Sequence, residues 1–123
     1  EAKSMITLYW YPKCSTCKDA KKWLEEAGFE VETIDLVKEP PSVTLLTQWM
    51  SQSELPIRRF FNTSGMKYRE LGLKDLVNDY TIEEASQQLN SDGMLLKRPI
   101  LVKDHQFLVN GFKADAYERI LLK

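Results

Sequence analysis

Of 123 residues only two are cysteine and one is histidine. That is too few for a structural zinc site, which takes four Cys or His ligands, usually as two pairs. Nor do disulfides staple this fold: Cys14 and Cys17 would close a loop too short to restrain the unfolded chain. No apolar run approaches the roughly 20 residues of a membrane span. No signal-peptide hydrophobic stretch opens the chain, so the expected compartment is the reducing cytoplasm. Charge of one sign is not in excess: 17 cations face 18 carboxylates for a net charge of -1. This argues against a disordered chain or a protein that coats nucleic acid. Repeats, low-complexity tracts and linkers are absent as well. What remains is a single domain over residues 1–123, able to bury about two thirds of its unfolded surface. Glu1 to Ser4 stand ahead of Met5 as an upstream remnant would.

The scarce cysteines lie together, as Cys14-Ser15-Thr16-Cys17, between the β-prone run Ile6 to Tyr11 and a helix-patterned run through Ala20, Trp23, Leu24 and Ala27. A strand broken at Pro12 and followed by a helix puts Cys14 at or near the N-cap and Cys17 one turn inside. The unpaired N–H groups and the dipole of a helix N-terminus stabilise an anion, so Cys14 is the expected nucleophilic thiolate. Residues i and i+3 on a helix are close enough to bridge, making Cys17 the expected resolving thiol. Two inert buried cysteines are the competing account. Lys13, Lys18, Lys21 and Lys22 crowd this region against a single Asp19, either as a solvated helix face or as cations that lower the thiol pKa.

Residues 5–11 read as a strand, 15–27 as an amphipathic helix closed by Gly28, and Val31 to Leu36 as a second, parallel strand. After Pro40-Pro41, Ser42 is an N-cap for a helix carrying Leu45, Leu46, Trp49 and Met50, and Pro56 opens another with Ile57, Phe60 and Phe61. From Glu70 to about Leu89 the pattern is again helical, with a Thr81–Glu84 capping box. Pro99 to Lys103 and Gln106 to Val109 form a hairpin about Asp104-His105, His105 being a solvated turn residue. A last helix, about Ala114 to Leu122, turns Ala116, Ile120 and Leu121 inward. The fold class is therefore α/β: a thioredoxin-like βαβ-ββα sheet core with an all-helical insertion, about residues 42–90, between the halves.

Tyr11-Pro12-Lys13-Cys14-Ser15-Thr16-Cys17, Phe61 to Gly65, Tyr68-Arg69-Glu70-Leu71-Gly72 and Lys97-Arg98-Pro99-Ile100 together resemble the arsenate-reductase-like family that also contains the Spx regulators. The resemblance runs from Thr7 to about Leu121. It implies that Cys14 is the nucleophile, that Arg98 holds the anionic adduct, and that Pro99 is a cis-proline facing the thiol. Arsenate reductases of this family hold the oxyanion with three arginines. Here the second and third positions align with Asn62 and Asn110, with Arg58, Arg59 and Arg69 near the former in sequence, so arsenate should bind weakly. The resemblance implies a cytoplasmic thiol-disulfide oxidoreductase acting on a disulfide or small oxyanion. It would bind no cofactor or metal and would be reset by an external thiol such as glutathione, or by glutaredoxin or thioredoxin. Lys13, Asn62, Arg69 and Asn110 are secondary site candidates. The alternative is an Spx-like redox sensor docking on the RNA polymerase α subunit without touching nucleic acid or membrane. It ranks second because Ser51 to Pro56 replace the regulators' glycine-containing turn and Lys97-Arg98-Pro99 replaces Arg-Arg-Pro. A redox-inactive relative using the fold as a scaffold is a third reading.

Overall fold

The computed structural model of the protein describes residues 5–122; Glu1 to Ser4, the segment ahead of the first methionine, lie outside them. The chain divides into two compact units, residues 36–97 and the two flanking segments together.

The flanking segments build a four-stranded sheet in the order β2-β1-β3-β4. β1 (Ile6–Trp10) pairs in parallel with β2 (Val31–Asp35) and antiparallel with β3 (Ile100–Lys103), which pairs antiparallel with β4 (Gln106–Asn110). The parallel pair needs a crossover, and α1 (Ser15–Glu26) supplies it. Cys17, Ala20 and Leu24 recur at three and four residues and are its buried stripe. Gly28, at φ +91°, ends the helix: its N–H donates to the Glu25 carbonyl and that of Phe29 to the Leu24 carbonyl, the double bond of a Schellman cap. The β3–β4 turn is two residues, Asp104 and His105, with φ of +50° and +68°. That is the mirror-image turn whose twist suits a hairpin. Its Asp104 is tied back to Met5 by bonds of 2.9 Å in both directions.

α5 (Ala114–Leu121) closes this unit. Ile6 and Leu8 of β1, Leu101 of β3, Ala20 and Leu24 of α1 and Tyr117 of α5 form one apolar cluster, rimmed by Trp10, Trp23, Phe29 and Phe112. The inward residue of α5 is Tyr117, fully buried and edge-on to Phe112 and Trp23 at 4.8 and 5.8 Å. Ile120, expected to face inward, is 36% exposed. A heptad-like choice of Ala116, Ile120 and Leu121 sets the stripe one residue off the face that Tyr117 and Leu121 share.

Unit 36–97 contains α2 (Val43–Ser53), α3 (Met66–Glu70) and α4 (Ile82–Ser91). The Ser42 hydroxyl caps α2 by accepting from the Leu45 N–H at 3.1 Å. Thr81 and Glu84 close a reciprocal capping box on α4. α2 and α4 face one another through Thr47, whose hydroxyl meets that of the buried Ser86 at 3.0 Å. The expected helix from Glu70 onward is not continuous. Gly72 in the left-handed region ends α3, and residues 73–79 form two single 3₁₀ turns before Tyr80 extends into the Thr81 cap. Pro56 likewise opens one 3₁₀ turn, Ile57–Phe60, after which Phe61 is extended and bridges Leu96.

Candidate active site

Trp10 ends β1, and the next four residues form a tight turn: Pro12 presets its second position, and the Cys14 N–H donates to the Tyr11 carbonyl at 2.9 Å. The turn delivers Cys14, extended at φ -88° and ψ 121°, to the N-cap of α1, where its carbonyl accepts from the Lys18 N–H at 3.1 Å. Cys14 is half-buried and Cys17, one turn in, has no exposed surface; both are free thiols.

Their electrostatics differ in sign. Burial raises the Cys14 pKa, but the Cys17 peptide N–H, the Cys17 thiol and the hydrogen bond and charge of Arg98 outweigh it, so Cys14 lies below the ordinary thiol value. The sulfur closes no full cap hydrogen bond; the Cys17 N–H acts on it as a weaker contact that still favours the anion. Cys17 is pushed up to about 12, first by burial and then by its hydrogen bond to Cys14 and the charge of Cys14, while the Tyr11 backbone and Arg98 pull the other way. One thiol is shifted toward the anion and the other is held as a thiol.

Arg98 stands over the Tyr11 ring, its guanidinium carbon 5.4 Å from the centroid. The Arg98–Pro99 peptide is cis. The Pro99 carbonyl accepts from the Gly111 N–H at 2.8 Å. Asn110 is buried opposite Ile100, so the sheet brings it to the strand end that carries the cis-proline. Cys14, Cys17, Arg98, Pro99 and Asn110 therefore belong to one unit, whereas Asn62 and Arg69 belong to the helical unit. There the Asn62 N–H donates to the Leu95 carbonyl at 2.7 Å and Arg69 reaches the Ser64 carbonyl at 3.4 Å. Lys13, Lys18 and Lys22 are exposed, and Lys21 is paired with Glu25 at 2.9 Å and lies over Trp10. The cation that lowers the Cys14 pKa is Arg98. Among the described residues no His, Cys, Asp or Glu cluster could hold a metal, and no helix is long and apolar enough to cross a membrane.

Two tyrosines of this site escape the sequence reading. Tyr11 supplies the ring under Arg98, and an aromatic directly before the Pro12 turn was its one local signal. Tyr117 is raised in pKa by burial and then by the charge of Cys17, and its hydroxyl donates to the Gly111 carbonyl at 3.0 Å. Only the correct phase of α5 would have revealed it.

The sheet order, the thiol pair at the start of α1 and the cis-proline before β3 define a thioredoxin-like protein with a helical insertion. Residues 9–120 match the ArsC family, and the chain belongs to it. It is 50% identical over 113 residues to the uncharacterized protein YusI of Bacillus subtilis, covering 92% of this chain and 95% of that one. A Streptococcus mutans structure described as that of a possible arsenate reductase superposes with a TM-score of 0.86 at 45% identity, over 90% of this chain and 93% of the other. The global transcriptional regulator Spx of Bacillus subtilis is 26% identical over 117 residues, 95% of this chain and 87% of the regulator. The chain is thus similar both to a reductase-like protein and to a regulator.

Proposed function

We propose that the protein is a thiol-disulfide oxidoreductase in which Cys14 attacks and Cys17 resolves. The observation that carries this reading is the placement of the pair, Cys14 half-buried at the N-cap of α1 and Cys17 one turn in with no exposed surface, an arrangement that with Arg98 moves the first pKa down and the second up. The Cys14 thiolate attacks one sulfur of a disulfide, breaking the S–S bond; a mixed disulfide forms and one thiolate leaves. Capture of Cys14 removes the charge and the hydrogen bond that add to burial in raising the Cys17 pKa, so that pKa falls. Cys17 then passes its proton to the leaving thiolate and attacks the Cys14 sulfur, closing Cys14–Cys17 and releasing the second half of the substrate as a thiolate, which takes its proton from water. Two electrons have passed from the dithiol to the substrate. An external thiol pair, from glutathione or from a glutaredoxin- or thioredoxin-type protein, returns them.

A disulfide is favoured over arsenate because it needs one sulfur-directed cation, which Arg98 supplies. A tetrahedral oxyanion gains from several fork-shaped donors, and the family resemblance sets Asn62 and Asn110 at the other two arginine positions. The test is a trapping experiment with glutathione disulfide. Cys17→Ser should accumulate a glutathione adduct on Cys14, and Cys14→Ser should form none at comparable rate. Equal adduct formation in both variants would sink the division of roles.

The similarity to Spx over 95% of the chain supports a second reading, in which Cys14–Cys17 oxidation alters a surface offered to the RNA polymerase α subunit. Retention of that subunit from lysate in only one redox state, without multiple turnover of a disulfide, is what this reading requires.

A further inference from the structure

The Phe61–Leu96 bridge has a consequence within the helical unit. It ties the end of the 3₁₀ turn Ile57–Phe60 to the segment before β3, with the Lys97 N–H donating to the Phe60 carbonyl at 3.0 Å. Arg58 and Arg59 on the turn and Lys97 on the facing segment, together with Lys74 from the 3₁₀ turn after α3, open onto one cavity of about 580 Å³. Phe61 and Tyr68, packed ring to ring at 6.2 Å, form its buried wall. Among the described residues no carboxylate lines it. Four like charges around one concavity repel one another and raise the local concentration of anions.

We propose that this cavity binds a small molecule carrying two or more adjacent phosphate groups. Charge matching selects the class. Each terminal phosphate brings roughly -1.5 to -2 at neutral pH, so a diphosphate, at roughly -3, matches the charges of Arg58, Lys74 and Lys97 within one small molecule. Neighbouring arginines supply planar forks that bind phosphate oxygens in pairs, and the lysines add point charges. The volume lies in the ordinary range of small-molecule sites, about 300 to 1,000 Å³, and exceeds the needs of a single oxyanion. Its residues all belong to the unit 36–97.

The probes are orthophosphate, pyrophosphate, tripolyphosphate and a short polyglutamate peptide, titrated into the reduced full chain at about 0.15 M salt, where exposed long-range attraction is screened. Pyrophosphate and tripolyphosphate should bind saturably and at least about tenfold more tightly than orthophosphate. Arg58→Gln with Lys74→Gln should weaken them at least about tenfold, as loss of charged hydrogen bonds requires. Lys18→Gln with Lys22→Gln, the same change of net charge elsewhere, should leave them unaltered. Amide shifts in the unsubstituted protein should centre on Thr63 and Tyr68. Shifts centred on Ser15 to Cys17, equal losses in both double variants, or a polyglutamate peptide binding as tightly as the phosphates would each overturn the proposal, the last in favour of an acidic polypeptide.

Discussion

Reduced protein exposed to iodoacetamide at pH 7 should lose one thiol quickly and the other scarcely at all. With Cys17 pushed up to about 12, only about one molecule in 10⁵ carries its thiolate, against about 3% for an ordinary thiol of pKa near 8.5. That is a deficit of roughly 3,000-fold in reactive species. The more basic thiolate is also the better nucleophile, and a Brønsted slope of about 0.4 to 0.5 returns roughly 40-fold. Cys17 should therefore react about 100-fold more slowly than a free thiol, before its complete burial slows it further. Cys14 should label first, with a rate whose pH midpoint lies below the ordinary thiol value. Arg98→Gln removes a hydrogen bond and a charge from the anion, and the midpoint must rise. In Cys14→Ser the Cys17 midpoint should fall yet stay above the ordinary value, because burial, the largest cause of its shift, is untouched. Peptide mapping by mass spectrometry reads both sites at once. Comparable labelling rates at the two cysteines, or an Arg98→Gln midpoint that does not move, would refute the electrostatic account.

Alkali should expose the same asymmetry in stability. Cys17 has a folded pKa above its unfolded one, so its contribution is complete below about pH 8.5 and is lost as pH climbs towards about 12; Cys17→Ala should flatten the decline measured by urea unfolding between those limits. Gly93→Ala sets a methyl group against the Leu36 carbonyl, a backbone atom that cannot swing aside, and should cost about 3 kcal/mol in the same assay. A change under about 0.5 kcal/mol would mean that the segment shifts freely. Thr81→Ala breaks the α4 capping box and should cost about 1 kcal/mol, with Thr81→Ser retaining most of the stability. Tyr117→Phe loses the 3.0 Å bond to Gly111 and should cost about 1 kcal/mol while the apolar cluster stays intact.

Where local chemistry decides the backbone, the sequence is readable. Pro12 before two spaced thiols, Gly28 after an amphipathic stripe, Ser42 and Thr81 as caps and Asp104-His105 between two β-prone runs each act within a few residues. The structure has all of them at the expected places. Legibility fails where tertiary packing overrides a local pattern. Leu71, Leu73, Leu76 and Val77 are spaced as a helix stripe would be, yet one left-handed glycine, Gly72, breaks the run into 3₁₀ turns that bury only Leu73 and Val77. The site shows the same division. The thiols announce themselves through position on a helix, whereas Arg98 lies far from them in sequence and was found by resemblance alone. Its contact with Tyr11 depends on β1 and β3 being sheet neighbours.

The two functional readings share their chemistry and differ in how long the oxidised pair must last, and the electrostatics bear on that difference. At neutral pH an environment that stabilises the Cys14 thiolate lowers the free energy of the dithiol state and leaves the disulfide, which carries no such charge, without that benefit. The raised pKa of Cys17 does not cancel the gain, since at pH 7 Cys17 is a neutral thiol and its unfavourable anion is not populated. In proportion to the ionisation of Cys14 at that pH, the reduced state is favoured relative to a pair of ordinary thiols: a closed Cys14–Cys17 bond is more readily reopened by an external thiol, and the dithiol is a correspondingly weaker reductant. Ready return to the dithiol suits repeated turnover; a sensor that must hold a signal gains more from a disulfide that resists reduction. On this ground the oxidoreductase reading stands ahead of the regulator, and Arg98 is the residue on which the ordering turns, because removing it takes away the one cationic side chain among the described residues that lowers the Cys14 pKa.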